Sequence, residues 1–331
     1  MTPPDTMWDS DREEAGRRVT AYTRAYDAQA AALESGDVPF VLEWSPATPV
    51  PPYSRRTAPR VDAAAYLHHA MLGGHRQAHE LAILQRLGGS WSGFFESARI
   101  NRRHTAFAAE YLAQEGYDQF LDLGCGLPYF FAMRDGKRSY DEVEHVHEAV
   151  ARFQPHAPVL YVDISPVAIG QLRAGMDDDD NCTYVHGDIR HVATLLASPQ
   201  VTERLDLTRP VAVLAHDVLS WMTLIEARET ARGLRHGLPP GSALSITHPT
   251  DDLGLPMSKL TPPCEEADVV YQPRPQGHIE ALLGGWPLLP PGLVLTGAWS
   301  PRHAGTETPG DRDRSGAFAA IAVKPASRPT C

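Results

Sequence analysis

Two glycines one residue apart, Gly124 and Gly126, follow the run Phe120-Leu121-Asp122-Leu123. An apolar run that meets an acid and then breaks into glycine is how a buried parallel strand ends when its backbone must turn tightly beside a ligand. Later apolar runs end in matching chemistry. Val159–Val162 leads into Asp163-Ile164, whose carboxylate can accept two ribose hydroxyls. Thr183–Val185 leads through His186-Gly187 into Asp188-Ile189. That carboxylate can accept from the exocyclic amine of adenine while the isoleucine covers a ring face. Val211–Ala215 ends in the polar pair His216-Asp217, and Ala243–Thr247 ends in His248-Pro249.

A dinucleotide site would want a third spaced glycine to seat a pyrophosphate on a helix N-terminus. Pro128, Tyr129 and Phe130 stand there instead. Two glycines and later acids suit a nucleoside cofactor without phosphate, and S-adenosylmethionine fits that description. The cofactor set is then Asp122, Gly124, Gly126, Asp163, Ile164, Asp188, Ile189 and His216.

These strand ends need a frame. Helical stretches at Val143–Phe153, Pro166–Ala174 and Leu224–His236 alternate with the strands, a pattern that implies a parallel sheet covered on both faces. Val294–Trp299 and Ala317–Val323 follow a helix at Ile279–Leu283 and are expected to close the sheet edge, one of them antiparallel. The predicted fold is α/β: a doubly wound, seven-stranded, mostly parallel sheet with an N-terminal helical cap. Residues 1–95 are assigned to the cap, 96–324 to the Rossmann-like domain and 325–331 to a loose tail. Within the cap, Asp9–Ser35, Val61–Leu72 and His75–Leu87 read as helices. Val38–Pro59, with six prolines, reads as an extended arm. Trp91–Gln114 reads as a further helix feeding the first strand.

A chain of 331 residues with 43% hydrophobic content reads as an ordinary globular protein. No apolar run reaches the length of a membrane helix, and the polar start Met1–Glu14 does not read as a signal peptide, so a cytoplasmic location is expected. A net charge of −11 argues against nucleic-acid or anionic membrane partners. His75 and His79 have helical spacing but lack the glutamate and third ligand of a zinc site, so no metal is expected.

The chain resembles an actinobacterial family of S-adenosylmethionine-dependent methyltransferases, long grouped without known function. The phrases that carry the resemblance include Ala98-Arg99-Ile100-Asn101-Arg102, Phe120–Pro128, Val146-His147-Glu148, Leu160–Asp163, Asp188-Ile189-Arg190, Leu205–Val211 and Leu238–Ser242. The resemblance spans about residues 60 to 324 and implies a class I methyltransferase fold. Three departures fall where acceptor selection is expected. His75-Arg76-Gln77 replaces a Lys-Asp-Asn phrase, Tyr129–Glu142 is inserted after the glycines, and His216-Asp217 replaces an apolar strand end.

Methyl transfer from a sulfonium is an in-line displacement, so the protein aligns the nucleophile and takes a proton where needed. His216 is the first candidate base, with Asp217 orienting it or contacting the acceptor, and His248 is the second. The plainer readings are a packed, satisfied histidine for His216 and a helix N-cap for Asp217. Tyr22, Tyr26, Trp44, Tyr66 and Trp221 are candidates for an aromatic acceptor pocket. The expected acceptor is a small molecule, such as an aromatic or indole-type natural-product intermediate. The alternatives are a peptide or protein acceptor, or a catalytically silent cofactor-binding regulator.

Overall fold

The computed structural model describes residues 62–72, 78–87, 91–128, 133–134, 137–138, 144–176, 180–300 and 314–326. Tyr22, Tyr26 and Trp44, the helix expected at Asp9–Ser35 and the proline-rich arm lie outside them. Residues Met133–Arg134 and Lys137–Arg138 of the insertion pair as an antiparallel two-strand hairpin. They fall outside the main unit, which comprises residues 58–129 and 141–331.

Seven strands form one sheet. They are β1 (Phe120–Leu123), β2 (Val159–Asp163), β3 (Cys182–His186), β4 (Ala212–His216), β5 (Ala243–Pro249), β6 (Val294–Leu295) and β7 (Ala317–Val323). Their order across the sheet is β3-β2-β1-β4-β5-β7-β6. The first five are parallel, and β7 runs antiparallel against both β5 and β6. Every residue of β1, β2, β4 and β5 is buried, which is why these strands read as continuous apolar runs: both faces are covered.

The period-two alternation of side chains sorts them into two cores. Leu121, Leu123, Leu160, Val162, Val213 and Leu244 pack on one face against α7 (Leu224–Gly237) and α8 (Gln276–Leu283). Phe120, Val159, Tyr161 and Leu214 pack on the other against α3 (Trp91–Gln114), α4 (Val146–Ala151) and α5 (Pro166–Met176). The remaining helices used here are α1 (Ala63–Met71), α2 (Ala78–Gln85) and α6 (Val192–Leu196). A third core joins α1, α2 and the start of α3 to the 257–271 segment through Leu67, Leu84, Phe94, Leu260 and Tyr271. This core holds α1 and the 257–271 segment together.

Two side chains fasten the amino ends of the central strands. Gln119 Nε2 donates to the carbonyls of Asp206, Arg209 and Pro210, and its Oε1 accepts from the Asp206 amide. Ser242 Oγ accepts from the Val211 amide. The expected strand Val294–Trp299 is shorter than its sequence suggests. After Leu295 the chain tightens into a 3₁₀ turn over Thr296–Ala298, which turns the Trp299 ring inward, 5.6 Å from Tyr111 and 5.3 Å from His104 between centroids. Among the described residues no helix is long and apolar enough to cross a membrane.

Candidate active site

The carboxyl ends of β3, β2, β1 and β4 line one cavity of about 330 Å³. Asp122, Gly124, Gly126, Asp163, Ile164, Asp188, Ile189, His216 and Asp217 all border it. Strand order therefore sets their sequence in space. Asp188 stands at one end, then Asp163, then the glycine loop, then Asp217, at the ends of adjacent strands that are spaced about 4.8 Å apart.

The glycine loop is built for close approach. Gly124 and Gly126 both adopt a left-handed backbone, with φ of 70°. A Cβ on Gly124 would run into Val218, whereas one on Gly126 would enter open space. The first glycine is therefore needed for packing and the second leaves room for a ligand. The Gly126 amide donates to Asp163 Oδ2 at 2.9 Å, and the Ser165 amide donates to Oδ1 at 2.8 Å. Burial raises the Asp163 pKa, and those two amides offset part of the rise. Each of its oxygens keeps one further accepting direction.

Asp122 is more isolated. Its Oδ2 is buried without a hydrogen-bond partner. Burial pushes its pKa up to about 7, with Arg102 opposing the shift and Asp163 adding to it. Arg102, from α3, donates Nη1 to the Cys125 carbonyl at 3.2 Å, and its buried Nε has no partner. An unsatisfied carboxylate oxygen and an unsatisfied guanidinium N–H beside one glycine loop match a zwitterionic amino-acid group. At the far end, Asp188 is held by Arg190, whose guanidinium also reaches Glu226 at 3.1 Å.

At the fourth strand end the ring of the expected base is already hydrogen-bonded on both sides. His216 borders the cavity, but its Nδ1 lies 2.9 Å from Thr105 Oγ1 and its Nε2 lies 2.8 Å from Ser245 Oγ. Both ring nitrogens are engaged, and burial holds the pKa well below the usual histidine value. An imidazole so placed is a packed wall and has no lone pair free for a substrate proton. His248 does not border the cavity. It is fully buried, Nδ1 donates to the Pro249 carbonyl at 2.8 Å and Nε2 accepts from Arg274 Nη1 at 2.6 Å. Arg274 in turn donates to the carbonyls of Leu219 and Met222, so His248 anchors a structural cluster.

Asp217 also borders the cavity. Its φ of 54° is left-handed, a conformation costly for most side chains and tolerated by Asp and Asn. Its amide donates to Thr247 Oγ1 at 2.9 Å. Asn101 Nδ2 donates to both carboxylate oxygens at 3.0 and 2.9 Å. His68 Nε2, from α1, lies 3.5 Å from Oδ2.

Sequence reasoning missed His68, Asn101, Arg102 and Thr105. The available signal was their helical spacing: Asn101 and Thr105 are one turn apart on α3 and both are buried. Among the aromatic candidates, Trp221 borders the cavity, its ring 4.8 Å from Tyr271. Tyr66 does not. On α1 the cavity is met by Ala64, Ala65 and His68, and the helical turn carries Tyr66 off that side.

This sheet order, with the cavity at the strand ends and an acid at the end of β2 and another just after β3, defines a class I methyltransferase. The chain belongs to the S-adenosyl methyltransferase family, whose model matches residues 54–325. It is an S-adenosylmethionine-dependent enzyme. Among solved structures it is similar to a DUF574 family protein of Streptomyces avermitilis, at 24% identity and a TM-score of 0.69, covering 80% of this chain and 100% of that one. It is also similar to a candidate methyltransferase of Thermobifida fusca, at 28% identity and a TM-score of 0.66, covering 81% and 98%. No curated protein matches the chain.

Proposed function

We propose that this methyltransferase acts on a small molecule and that an aromatic intermediate is its acceptor. The observation that carries the reading is the concave lining of the cavity. Helix α1 contributes Ala64, Ala65 and His68, and the segment Asp268-Val269-Val270 and Trp221 add further walls. A concave pocket of about 330 Å³ at the strand ends falls in the range of small-ligand sites and favours a small acceptor over a folded protein.

Asp163 accepts the ribose hydroxyls, and Asp188 with Ile189 holds the adenine. Ile164 and His216 pack as walls. The glycine loop lets the backbone approach, while Asp122 and Arg102 take the ammonium and carboxylate of the methionine portion. Bound there, S-adenosylmethionine supplies an activated methyl group; the residues hold it, exclude water and align the acceptor. Asp217, at the β4 end, is the group placed to meet the acceptor. The test is turnover of S-adenosylmethionine against a library of small aromatic amines, phenols and indoles, beside a peptide library. Methylation confined to peptides would overturn the small-molecule reading.

A further inference from the structure

The two arginines that line the cavity are already engaged at its cofactor end. Arg102 is committed to the glycine loop, and Arg190 to Asp188 and Glu226. Beside Asp217 stand His68 and Asn101, and Trp221 and Asp268 line the same cavity. Asn101 is 3% exposed, and its Oδ1 is buried with no hydrogen-bond partner. The amide orientation follows from its neighbour: turning it over would press the carbonyl oxygen against the Asp217 carboxylate. This leaves a carboxylate, an unsatisfied amide carbonyl and an aromatic ring lining one cavity. The set accepts hydrogen bonds and favours positive charge.

Building on the methyltransferase reading, we propose that Asp217 and Asn101 recognise an amine and that the reaction is N-methylation. The amine nitrogen donates to Asp217 and to Asn101 Oδ1, which turns its lone pair toward the methyl carbon. The N–C bond forms as the C–S bond breaks, and the electron pair of that bond stays on sulfur to give S-adenosylhomocysteine. The nitrogen sheds one proton, which Asp217 accepts with His68 3.5 Å behind it. A carboxylate or phosphate acceptor would meet like charge here.

Sinefungin tests this without a known acceptor, because it carries an amine-bearing carbon where S-adenosylmethionine carries its methylsulfonium. Calorimetry on the full chain should show sinefungin binding at least tenfold tighter than S-adenosylhomocysteine at pH 7. Asp217→Asn keeps a side chain that tolerates the left-handed backbone. It should erase that preference while S-adenosylhomocysteine affinity stays within about threefold. Equal affinities in the wild type would overturn the proposal, as would a preference that survives in Asp217→Asn. If the wild type binds neither ligand, the cofactor reading itself fails. Should Asp217→Asn not fold, the wild-type comparison still decides.

Discussion

The Gly126 amide donates to Asp163 Oδ2 at 2.9 Å, across 37 residues of sequence. One hydrogen bond thus joins the glycine loop after β1 to the acid at the end of β2. The group proposed to hold the ribose also sets the loop proposed to admit the methionine portion. Asp163→Ala should weaken S-adenosylhomocysteine binding by about 2–3 kcal/mol through lost charge-assisted bonds. It should also loosen the loop. Calorimetry showing unchanged affinity would remove Asp163 from the cofactor site.

The two loop glycines should separate packing from binding. Gly124→Ala adds a Cβ that meets Val218 and keeps a left-handed backbone. It should lower stability by more than the ~1–2 kcal/mol of the backbone alone. Gly126→Ala meets no neighbour, so its stability loss should stay near that backbone figure while cofactor affinity falls further. Thermal melts beside binding isotherms for both variants check the contrast.

Asp122 should give the free enzyme a pH signature. Its folded pKa of about 7 lies above the ordinary carboxyl value of 3.8, so between those values the folded state holds a proton that the unfolded state has released. That contribution to stability is complete below about pH 4 and is lost as pH rises toward 7. Asp122→Asn should flatten this part of the stability curve. If the cofactor's ammonium meets Asp122, binding at pH 6 should also release a proton, measurable by calorimetry in buffers of differing ionisation enthalpy. Identical pH curves for variant and wild type would count against an Asp122 protonated in the fold.

His216→Leu should cost roughly 1–3 kcal/mol of stability, because it strands the Ser245 hydroxyl and removes the contact to Thr105, whose hydroxyl keeps its bond to the Asn101 carbonyl. His216→Gln can meet both hydroxyls and should recover most of that loss. Once an acceptor is in hand, its turnover should remain close to wild type across pH 6 to 9. A hundredfold loss in the Gln variant would restore His216 as the base.

His248 has a folded pKa depressed to about 3 by burial and by Arg274. Its stabilisation is therefore present above the unfolded value of 6.5 and is lost as pH falls below it. His248→Gln should shift acid unfolding and leave S-adenosylhomocysteine affinity unchanged. A change in affinity at constant stability would place His248 nearer the site than its burial implies.

Much of the frame was legible in residue order alone. Apolar runs buried on both faces, an acid at the end of the second strand and another just after the third, and glycine where φ must be positive are local signals. They located β1 to β5 and β7 and led to the cavity wall of Asp122, Asp163 and Asp188. Local signals failed at the hydrogen-bond partners. Nothing near His216 in sequence announces Thr105, 111 residues earlier, or Ser245, 29 residues later. A histidine at a strand end therefore reads as a base until those hydroxyls are seen. His248 is settled by Arg274 in the same way. Conversely, His68, Asn101 and Arg102 are unremarkable polar residues on helices until packing of α1 and α3 brings them to the ends of β1 and β4. Spacing along the chain determined the sheet, because its periodicity is set by neighbours in sequence. Tertiary packing decided which polar atoms are already satisfied and which remain to meet a ligand, because that depends on groups brought together from distant parts of the chain.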